Sequence, residues 1–321
     1  MLRPEAHYRG IAAAIAPHVK RTPLLRAEAL DASAGCEVWL KAELFQHTGS
    51  YKPRGMLHAL GLLGAEGLSR GLITFSAGNA ALGLAYAANR RGARAIAVMP
   101  EGASAIKVSA ARALGAEVIL HGTAKEAFAL MQQMIAEKGY HYVPPSDHPD
   151  MIEGNASLGL EIADDAPDAD AVFVPIGGGG MISGVASGLR AAGSNAVIVG
   201  IEPVGAAVMH RSLANGRPTD HDGPPQTIAD GLAYPFGGRY TYPIVRDLVQ
   251  RVDLVEDEEI RRAMLALMTE AKLYAEPSAA AGLAGLVRHR AALADAYGPI
   301  RKAVVVVSGG NLDPVRLKDL L

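Results

Sequence analysis

The chain alternates short apolar runs with longer segments in which apolar residues recur every three or four positions. In the first half, the runs predict strands at 38–43, 72–75, 95–99 and 117–120. The longer segments predict helices at 5–16, 53–63, 80–91, 106–114 and 124–138. A strand followed by a helix, repeated several times, is typical of a parallel sheet in an α/β fold.

The second half repeats the alternation of strands and helices, with different loops between them. Continuous apolar strands are predicted at 171–176, 197–201 and 303–307, and helices at 151–164, 181–192, 257–272 and 277–292. Residues 212–240 are rich in Gly and Pro and are expected to be irregular. A crossing between the two halves is expected at 143–147. We therefore predict two doubly wound α/β units, with ligands bound in the cleft at the carboxyl ends of the strands.

Composition narrows the function classes. Half of the 321 residues are hydrophobic, and 31 Lys and Arg against 33 Asp and Glu give a net charge of −2. No basic field attracts nucleic acid or an anionic membrane, and no apolar run reaches spanning length. The N-terminal segment lacks the uninterrupted apolar core of a signal peptide. The single cysteine, Cys36, excludes an internal disulfide and fits a reducing compartment, so a cytoplasmic protein is expected.

Lys52 stands out because of its neighbours in the stretch Ser50-Tyr51-Lys52-Pro53-Arg54-Gly55. A residue before proline is expected to be extended, and Pro53 suits the first position of a helix. The sequence thus predicts that Lys52 sits at a fixed junction between a loop and a helix. A lysine amine there is a candidate nucleophile for an aldehyde. The alternative is an ordinary solvated lysine in a turn.

Four consecutive glycines, Gly177 to Gly180, follow a predicted buried strand and precede a helix. Unobstructed backbone N–H groups at a helix N-terminus favour a phosphate. The nucleoside-triphosphate motif is excluded because no Gly-Lys-Ser/Thr follows. A dinucleotide loop is a rival, since Gly178-x-Gly180 is present and Glu202 ends the next strand, although Ser183 holds the third glycine position. A turn that needs glycine for backbone reasons is the simpler alternative.

Two further loops carry candidate chemistry. Ser76-Ala77-Gly78-Asn79 lies between a strand and a helix and offers N–H donors to an anion, unless it is an ordinary helix cap. Ser308-Gly309-Gly310-Asn311 follows the last strand, where the serine hydroxyl could bond to a heteroaromatic nitrogen without protonating it; the alternative is a glycine turn. A reactive amine, a phosphate loop, an anion loop and a neutral ring partner together suit a cofactor of the pyridoxal phosphate type.

The sequence resembles the fold-type II pyridoxal-phosphate enzymes, in particular the serine/threonine dehydratase and serine racemase group. The matching stretches are spread over nearly the whole chain: 21–24 (Arg-Thr-Pro-Leu), 41–52 (from Lys41 to Lys52), 76–79, 177–180, 229–231 (Ala-Asp-Gly), 276–278 (Glu-Pro-Ser) and 308–311. The resemblance implies two α/β domains of the tryptophan synthase β type. The large, cofactor-binding domain would comprise 1–70 and 148–321, and the small mobile domain 71–147.

The resemblance also assigns residues by position. Lys52 would bind the cofactor covalently and act as the base on the substrate Cα, with Tyr51 against the ring where the family usually has phenylalanine. Asn79 would bond to the ring hydroxyl and Ser308 would face the pyridine nitrogen. The remaining assignments are the phosphate loop, Gly177, Gly178, Gly179 and Gly180, and the substrate-binding loop, Ser76, Ala77, Gly78, Asn79 and Ala80.

The implied activity is that of a lyase: β-elimination from a β-hydroxy amino acid of the serine or threonine type, giving a 2-oxo acid and ammonia. The resemblance also suggests a homodimer that acts on a small amino acid. One alternative is β-replacement or threonine-synthase-like chemistry with the same cofactor. The stretch Lys52-Pro53-Arg54 argues against it, since those relatives usually have an acid after the lysine. Outside the family, the alternative is an NAD-dependent dehydrogenase. A third possibility is a catalytically silent ligand-binding relative, against which the retained Lys52 argues.

Several positions depart from the pattern of the group. Ala77 replaces a second serine, the acid of the racemases, so racemisation is not expected, and Ala80 replaces a histidine. Residues 154–157 (Gly-Asn-Ala-Ser) replace a loop that helps to close over the substrate. Val208 replaces an acid of a metal-binding loop that Glu202 otherwise matches, so no metal is expected. These departures predict a substrate other than plain serine or threonine.

Overall fold

A computed structural model describes residues 2–320. The strands are β1 Leu24–Arg26, β2 Glu37–Ala42, β3 Leu72–Phe75, β4 Ala95–Met99, β5 Glu117–Leu120, β6 His141–Tyr142, β7 Ala171–Pro175, β8 Val197–Pro203, β9 Arg251–Val255 and β10 Lys302–Val307.

The α-helices lie between these strands and at both ends of the described chain. They are α1 Glu5–Ile15, α2 Asp31–Ala34, α3 Pro53–Gly61, α4 Ala65–Ser69, α5 Asn79–Arg90, α6 Ala105–Ala113, α7 Ala124–Lys138, α8 Pro149–Asp165, α9 Gly180–Ala191, α10 Val208–Ala214, α11 Thr241–Leu248, α12 Asp257–Thr269, α13 Pro277–Tyr297 and α14 Pro314–Leu320. Short 3₁₀ turns occupy Ala16–His18, Glu28–Leu30, Glu43–Phe45, Val204–Ala206 and Asp230–Leu232.

The larger sheet has six strands in the order β1-β2-β10-β7-β8-β9, parallel except for β1, which pairs with β2 in the antiparallel sense. Its inner strands β7 and β10 are almost entirely buried, which explains their unbroken Val-rich sequences. The carboxyl ends of β2, β10 and β7 lie side by side at one edge, where the predicted cofactor loops begin.

The smaller sheet has four parallel strands in the order β5-β4-β3-β6. Helices α5 and α7 pack against β3 and β4. The core on the α5 side also takes in Met56 and Leu57 of α3 and Met151 of α8. Helix α3, which begins directly after Lys52, therefore contacts both halves of the molecule.

The predicted α/β class with two parallel sheets is confirmed. The boundaries of the two domains stay a prediction, although all four strands of the small sheet fall inside 71–147. The irregular segment 212–240 is partly helical, since α10 extends to Ala214 and Asp230–Leu232 forms a 3₁₀ turn. Helix α12 ends at Thr269, before the predicted 272, and Lys272 adopts a positive φ of 59°.

The expectation that Lys52 is extended is wrong. Its φ of −52° and ψ of −34° are helical, and its carbonyl accepts a hydrogen bond from the Met56 N–H. The Tyr51 carbonyl likewise accepts a hydrogen bond from the Arg54 N–H, so the helical turn already includes the residues before Pro53. Pro53 does occupy the first turn of α3, as predicted, because its missing N–H is not needed there.

The helix predicted at 151–164 is confirmed as α8, and residues 154–157 are buried in its middle instead of forming a loop over the substrate. Gly154 permits close packing: a Cβ there would lie 2.6 Å from the Arg54 carbonyl oxygen. Asn155 donates to the Gly180 carbonyl at 3.2 Å. This segment therefore supports the glycine loop from behind. Within residues 2–320, no helix is both long and apolar enough to cross a membrane.

Candidate active site

A cleft of about 520 Å³ lies between the two sheets. Parallel strands of both sheets end at this cleft, as expected for an α/β fold with a ligand site. Every residue predicted to bind cofactor or substrate lines it: Tyr51, Lys52, Ser76, Ala77, Gly78, Asn79, Ala80, Gly177, Gly178, Gly179, Gly180 and Ser308. The fold thus brings all four predicted stretches together, while their individual roles stay predictions.

Lys52 is half-buried and its amine points into the cleft. Its Nζ donates a hydrogen bond to the Pro145 carbonyl at 2.7 Å and lies 5.0 Å from the centre of the Tyr51 ring. Close packing holds the stem of the side chain, since a Cβ on Gly83 would come within 2.8 Å of the Lys52 Cβ. The amine is therefore fixed near the crossing between the two sheets and is not a free surface group.

The glycine loop connects β7 to α9 and leaves no room for side chains. A Cβ on Gly178 would lie 2.7 Å from Ser146 Oγ, and one on Gly180 would lie 2.7 Å from the Ser146 carbonyl oxygen. Gly179 has a φ of +80°, which glycine adopts without strain. These backbone N–H groups begin a 12-residue helix, so the loop has the character of an anion site.

Asn79 begins α5 at the opposite side of the cleft. Its Nδ2 donates to Glu276 Oε1 at 2.6 Å, and its Oδ1 accepts from Asn311 Nδ2 at 2.7 Å. Glu276 is 2% exposed, and burial raises the pKa of its carboxyl above the ordinary value. The side-chain amide of Asn79 is therefore held in one orientation by partners from two distant parts of the chain.

Ser308 follows β10, the strand that pairs with both β2 and β7. Its carbonyl accepts the Tyr51 N–H at 3.1 Å, and the next residues of the two loops pair again through Gly309 and Ser50. Ser308 is buried and lines the cleft. Its hydroxyl is thus placed between the lysine loop and the glycine loop, where a ring held by both would lie.

Glu202 ends up outside this site. It is buried below the sheet edge, and its two oxygens accept the backbone N–H groups of Met209 and His210 at 2.8 and 2.7 Å. Burial raises the pKa of Glu202 to about 8. Its carboxyl caps helix α10 and so cannot face a ribose in the cleft, as the dehydrogenase alternative requires. Over residues 2–320, no group of three or more His, Cys, Asp or Glu side chains is arranged to hold a metal.

Sequence reasoning assigned no role to several residues of the cleft. Glu276 appears in the sequence only within a matching motif, and Ser146, whose Oγ accepts the Gly180 N–H at 3.1 Å, follows a proline pair with no motif of its own. Lys107 pairs with Asp230 at 3.1 Å across the cleft. The signal for Lys107 was weak, because a buried lysine on a short helix looks like any other helical lysine.

The arrangement joins a fixed primary amine, a backbone anion site, a neutral hydroxyl and a carboxyl-anchored amide in one cleft. This donor set fits pyridoxal phosphate: the aldehyde would meet Lys52, the phosphate would meet the glycine loop, and a ring between them would meet Ser308. Side chains are missing at four successive positions of the glycine loop, which leaves its backbone open to a phosphate and is more than an ordinary turn needs.

Comparison with known proteins agrees with this fit. Residues 15–309 match the family described as pyridoxal-phosphate dependent enzyme. The chain is 40% identical over 296 residues to an L-threonine ammonia-lyase of Geobacter sulfurreducens, in a match that covers 92% of this chain and 72% of the relative. It is 35% identical over 308 residues to an L-threo-3-hydroxyaspartate ammonia-lyase of Saccharomyces cerevisiae, in a match that covers 96% and 93%.

The fold is shared as well. The structure of maize serine racemase matches with a TM-score of 0.93 and 34% identity, over 99% of this chain and 97% of that one. The structure of the processed form of threonine deaminase isoform 2 from Solanum lycopersicum matches with a TM-score of 0.90 and 34% identity, over 99% and 95%. The chain belongs to the pyridoxal-phosphate dependent enzymes of fold type II, within the serine/threonine dehydratase group.

Proposed function

We propose that this protein is a lyase that eliminates the β-hydroxyl of a β-hydroxy amino acid and produces a 2-oxo acid and ammonia. The observation that carries the proposal is that Lys52, the glycine loop, Ser308 and the 76–79 loop line one cleft. The names of the ammonia-lyase relatives support the same activity. Family membership also supports pyridoxal phosphate as the cofactor.

The residues of the cleft have distinct binding roles in this proposal. Backbone N–H groups of Gly177 to Gly180 hold the phosphate at the N-terminus of α9. Tyr51 packs against the ring, and the Asn79 amide donates to the ring hydroxyl. The Ser308 hydroxyl donates to the ring nitrogen and leaves it unprotonated, whereas a carboxylate would keep it charged. Bound pyridoxal phosphate supplies the electron-withdrawing group that makes the substrate Cα–H acidic.

Lys52 carries the proton transfer. When its amine is free, it accepts the proton from the substrate Cα, since it is fixed near the crossing of the two sheets. The loop Ser76 to Asn79 binds the substrate carboxylate at the start of α5, where the positive end of the helix dipole favours an anion. Ala77 and Ala80 add no proton donor on that side, so abstraction and return of the proton occur from the lysine side alone. Elimination is therefore favoured over racemisation.

The overall reaction balances without a further reactant. The Cα–H and Cβ–O bonds break, and the proton and hydroxide leave as water. The released enamine takes up a proton at Cβ and becomes an imine. Water then adds to the imine and ammonia leaves, so the water lost in the elimination is consumed again and the product is a 2-oxo acid.

The test uses the purified holoenzyme. We expect an absorbance band in the near violet that disappears on borohydride treatment and leaves the label on Lys52. Lys52→Ala is expected to lower 2-oxo acid release by about 10²–10⁴-fold or more, whereas Lys138→Ala, at an exposed position on α7, leaves it unchanged. Full turnover by Lys52→Ala, or labelling of another lysine, would show that the assignment is wrong.

Three broader statements belong to the same proposal. The protein acts as a homodimer, as its resemblance to the dehydratase group suggests, and works in the cytoplasm, as its single cysteine suggests. The large domain, 1–70 and 148–321, binds the cofactor, while 71–147 moves as a small domain over the substrate. Light scattering of the purified protein tests the assembly, and hydrogen exchange with and without substrate analogue tests the motion of 71–147.

A further inference from the structure

Aromatic rings are concentrated in the candidate active site. Only 5% of the chain is aromatic and it has five phenylalanines, yet three of these, Phe75, Phe128 and Phe236, line this one cleft. Tyr142 and Tyr234 line it as well. The predicted contacts to cofactor and substrate carboxylate use none of these five rings, so their presence calls for a ligand group that they would contact.

Phe75 and Phe128 form a fixed pair on the small-sheet side. Phe75 is the last residue of β3, directly before the loop that is proposed to hold the substrate carboxylate. Its ring meets Phe128 of α7 edge to face, with 5.6 Å between centres and 79° between planes. Both rings are half-buried and rest on a core cluster behind them. Each therefore presents one apolar surface to the cleft without being free to turn away.

A second pair lies on the large-sheet side. Tyr234 and Phe236 meet at 5.7 Å with 81° between their planes. Phe236 is 49% exposed, which is unusual for a phenylalanine without a partner to cover it. Both pairs line the same cleft. They offer a planar or bulky apolar group the edge-to-face and offset contacts that aromatic groups prefer.

The loop that follows Phe75 carries small apolar side chains at two positions. Ala77 and Ala80 stand in the loop and first turn of α5 and line the same cleft. Their methyl groups occupy little space and offer no hydrogen bond to a β-hydroxyl or a short polar side chain. The nearby charge of Lys107 is already paired with Asp230 at 3.1 Å. At these two positions the loop after Phe75 therefore adds neither bulk nor a polar side chain to the cleft.

From these observations we infer that the substrate carries an aryl or similarly bulky apolar group on its hydroxyl-bearing Cβ, as in β-phenylserine. The inference rests on the proposed β-elimination and names its substrate class. A rival is a second carboxylate, as the name of the yeast relative implies for that protein. It would need a cation, and Lys125, an exposed residue of α7 that lines the cleft, is the candidate.

The first experiment ranks substrates of the holoenzyme by kcat/KM for 2-oxo acid release. We expect β-phenylserine to exceed threonine by at least about ten-fold, the scale on which apolar pockets discriminate. If threonine or 3-hydroxyaspartate is equal or better, the inference is overturned while the proposed lyase stands. If none of the three releases a 2-oxo acid, the proposed function fails, and the inference falls with it.

The second experiment uses variants and a binding readout. Phe128→Ala and Phe75→Leu should each lower the preference for β-phenylserine over threonine by about ten-fold. Phe45→Leu, at an exposed ring outside the cleft, should leave it unchanged. Calorimetry with α-methyl-β-phenylserine, which has no Cα proton to lose, should show weaker binding to Phe128→Ala and Phe75→Leu than to the wild type and Phe45→Leu. Variants that keep the wild-type preference and affinity overturn the inference, and melting temperatures show whether each variant is folded.

Discussion

Removal of the Arg54 guanidinium tests how the lysine junction is held in place. Arg54 is fully buried two residues after Lys52. Its guanidinium makes two hydrogen bonds to Glu43, both at 2.8 Å, and two to Glu161, at 2.7 and 3.0 Å. Glu43 has no exposed side-chain surface, whereas Glu161 also pairs with Lys41 at 2.7 Å. In the Arg54→Met variant, Glu161 still pairs with Lys41, whereas Glu43 loses its ion-pair partner.

The expected loss of stability follows from the buried Glu43 carboxylate that is left without its ion-pair partner. Breaking a buried ion pair by removing one partner costs about 3–5 kcal/mol of unfolding free energy, because an uncompensated charge remains inside. Adding Glu43→Gln to Arg54→Met should recover about 1–3 kcal/mol. A matched control is Arg9→Met, whose partner Asp164 lies at 2.7 Å with both side chains over a third exposed. That surface pair is worth at most about 1 kcal/mol.

The pH dependence has a definite sign. Burial alone would raise the pKa of Glu43, but the attraction of Arg54, its hydrogen bonds and the one from Thr22 together outweigh burial and hold the pKa below the ordinary value. In Arg54→Met the hydrogen bond from Thr22 and the attraction of Lys41 remain, but burial is the larger influence. The pKa of Glu43 therefore rises, and the carboxyl takes up a proton in the folded state as the pH falls. The gap in stability between wild type and variant should therefore narrow from about pH 8 to about pH 5.

The assay is urea denaturation followed by circular dichroism, on holoenzyme and on cofactor-free protein. The reasoning is refuted if Arg54→Met loses no more stability than Arg9→Met. It is also refuted if the effects of Arg54→Met and Glu43→Gln simply add, because two partners of one buried pair must be coupled.

Two further predictions concern the glycine loop and the capped carboxyl. Gly178→Ala puts a Cβ 2.7 Å from Ser146 Oγ and should weaken cofactor binding by about 1–3 kcal/mol. The control Gly10→Ala, at an open helical site, should leave cofactor binding unchanged. Titration of each cofactor-free variant with pyridoxal phosphate compares the two affinities. Because burial raises the pKa of Glu202 to about 8, the folded state holds a proton that the unfolded chain releases. As the pH rises from about 5 to about 8, the unfolding free energy of the wild type should fall relative to that of Glu202→Gln. Urea denaturation at several pH values tests this, and the same pH dependence in both proteins would contradict it.

The elements that the sequence predicts well are those whose signal is local. Strands β4 and β10 are almost fully buried, so each is a continuous apolar run, apart from Lys302 at the start of β10. The glycine loop can also be predicted from local sequence, because its need for backbone without side chains requires four successive glycines, Gly177 to Gly180. The same holds for the start of α3 at Pro53.

The elements that the sequence misses depend on distant partners. Strand β6 has two residues and β1 has three, too few to show a period of two. Strand β9 contains Arg251 and Asp253, which neutralise each other at 2.7 Å and so allow charged residues in an edge strand. The helical backbone of Lys52 is a further case, because the bonds that stabilise α3 outweigh the ordinary preference before proline.

The orientation of Asn79 shows why site chemistry needs the fold. The Thr48 carbonyl can only accept, so the Asn311 atom 2.8 Å away must be its nitrogen. That nitrogen also donates to Asn79 at 2.7 Å, so the facing atom of Asn79 must be its oxygen. The Asn79 nitrogen then faces Glu276 at 2.6 Å and keeps one N–H for the cleft. Asn79 and Glu276 are 197 positions apart in the chain, so no local pattern reveals how the Asn79 amide is oriented.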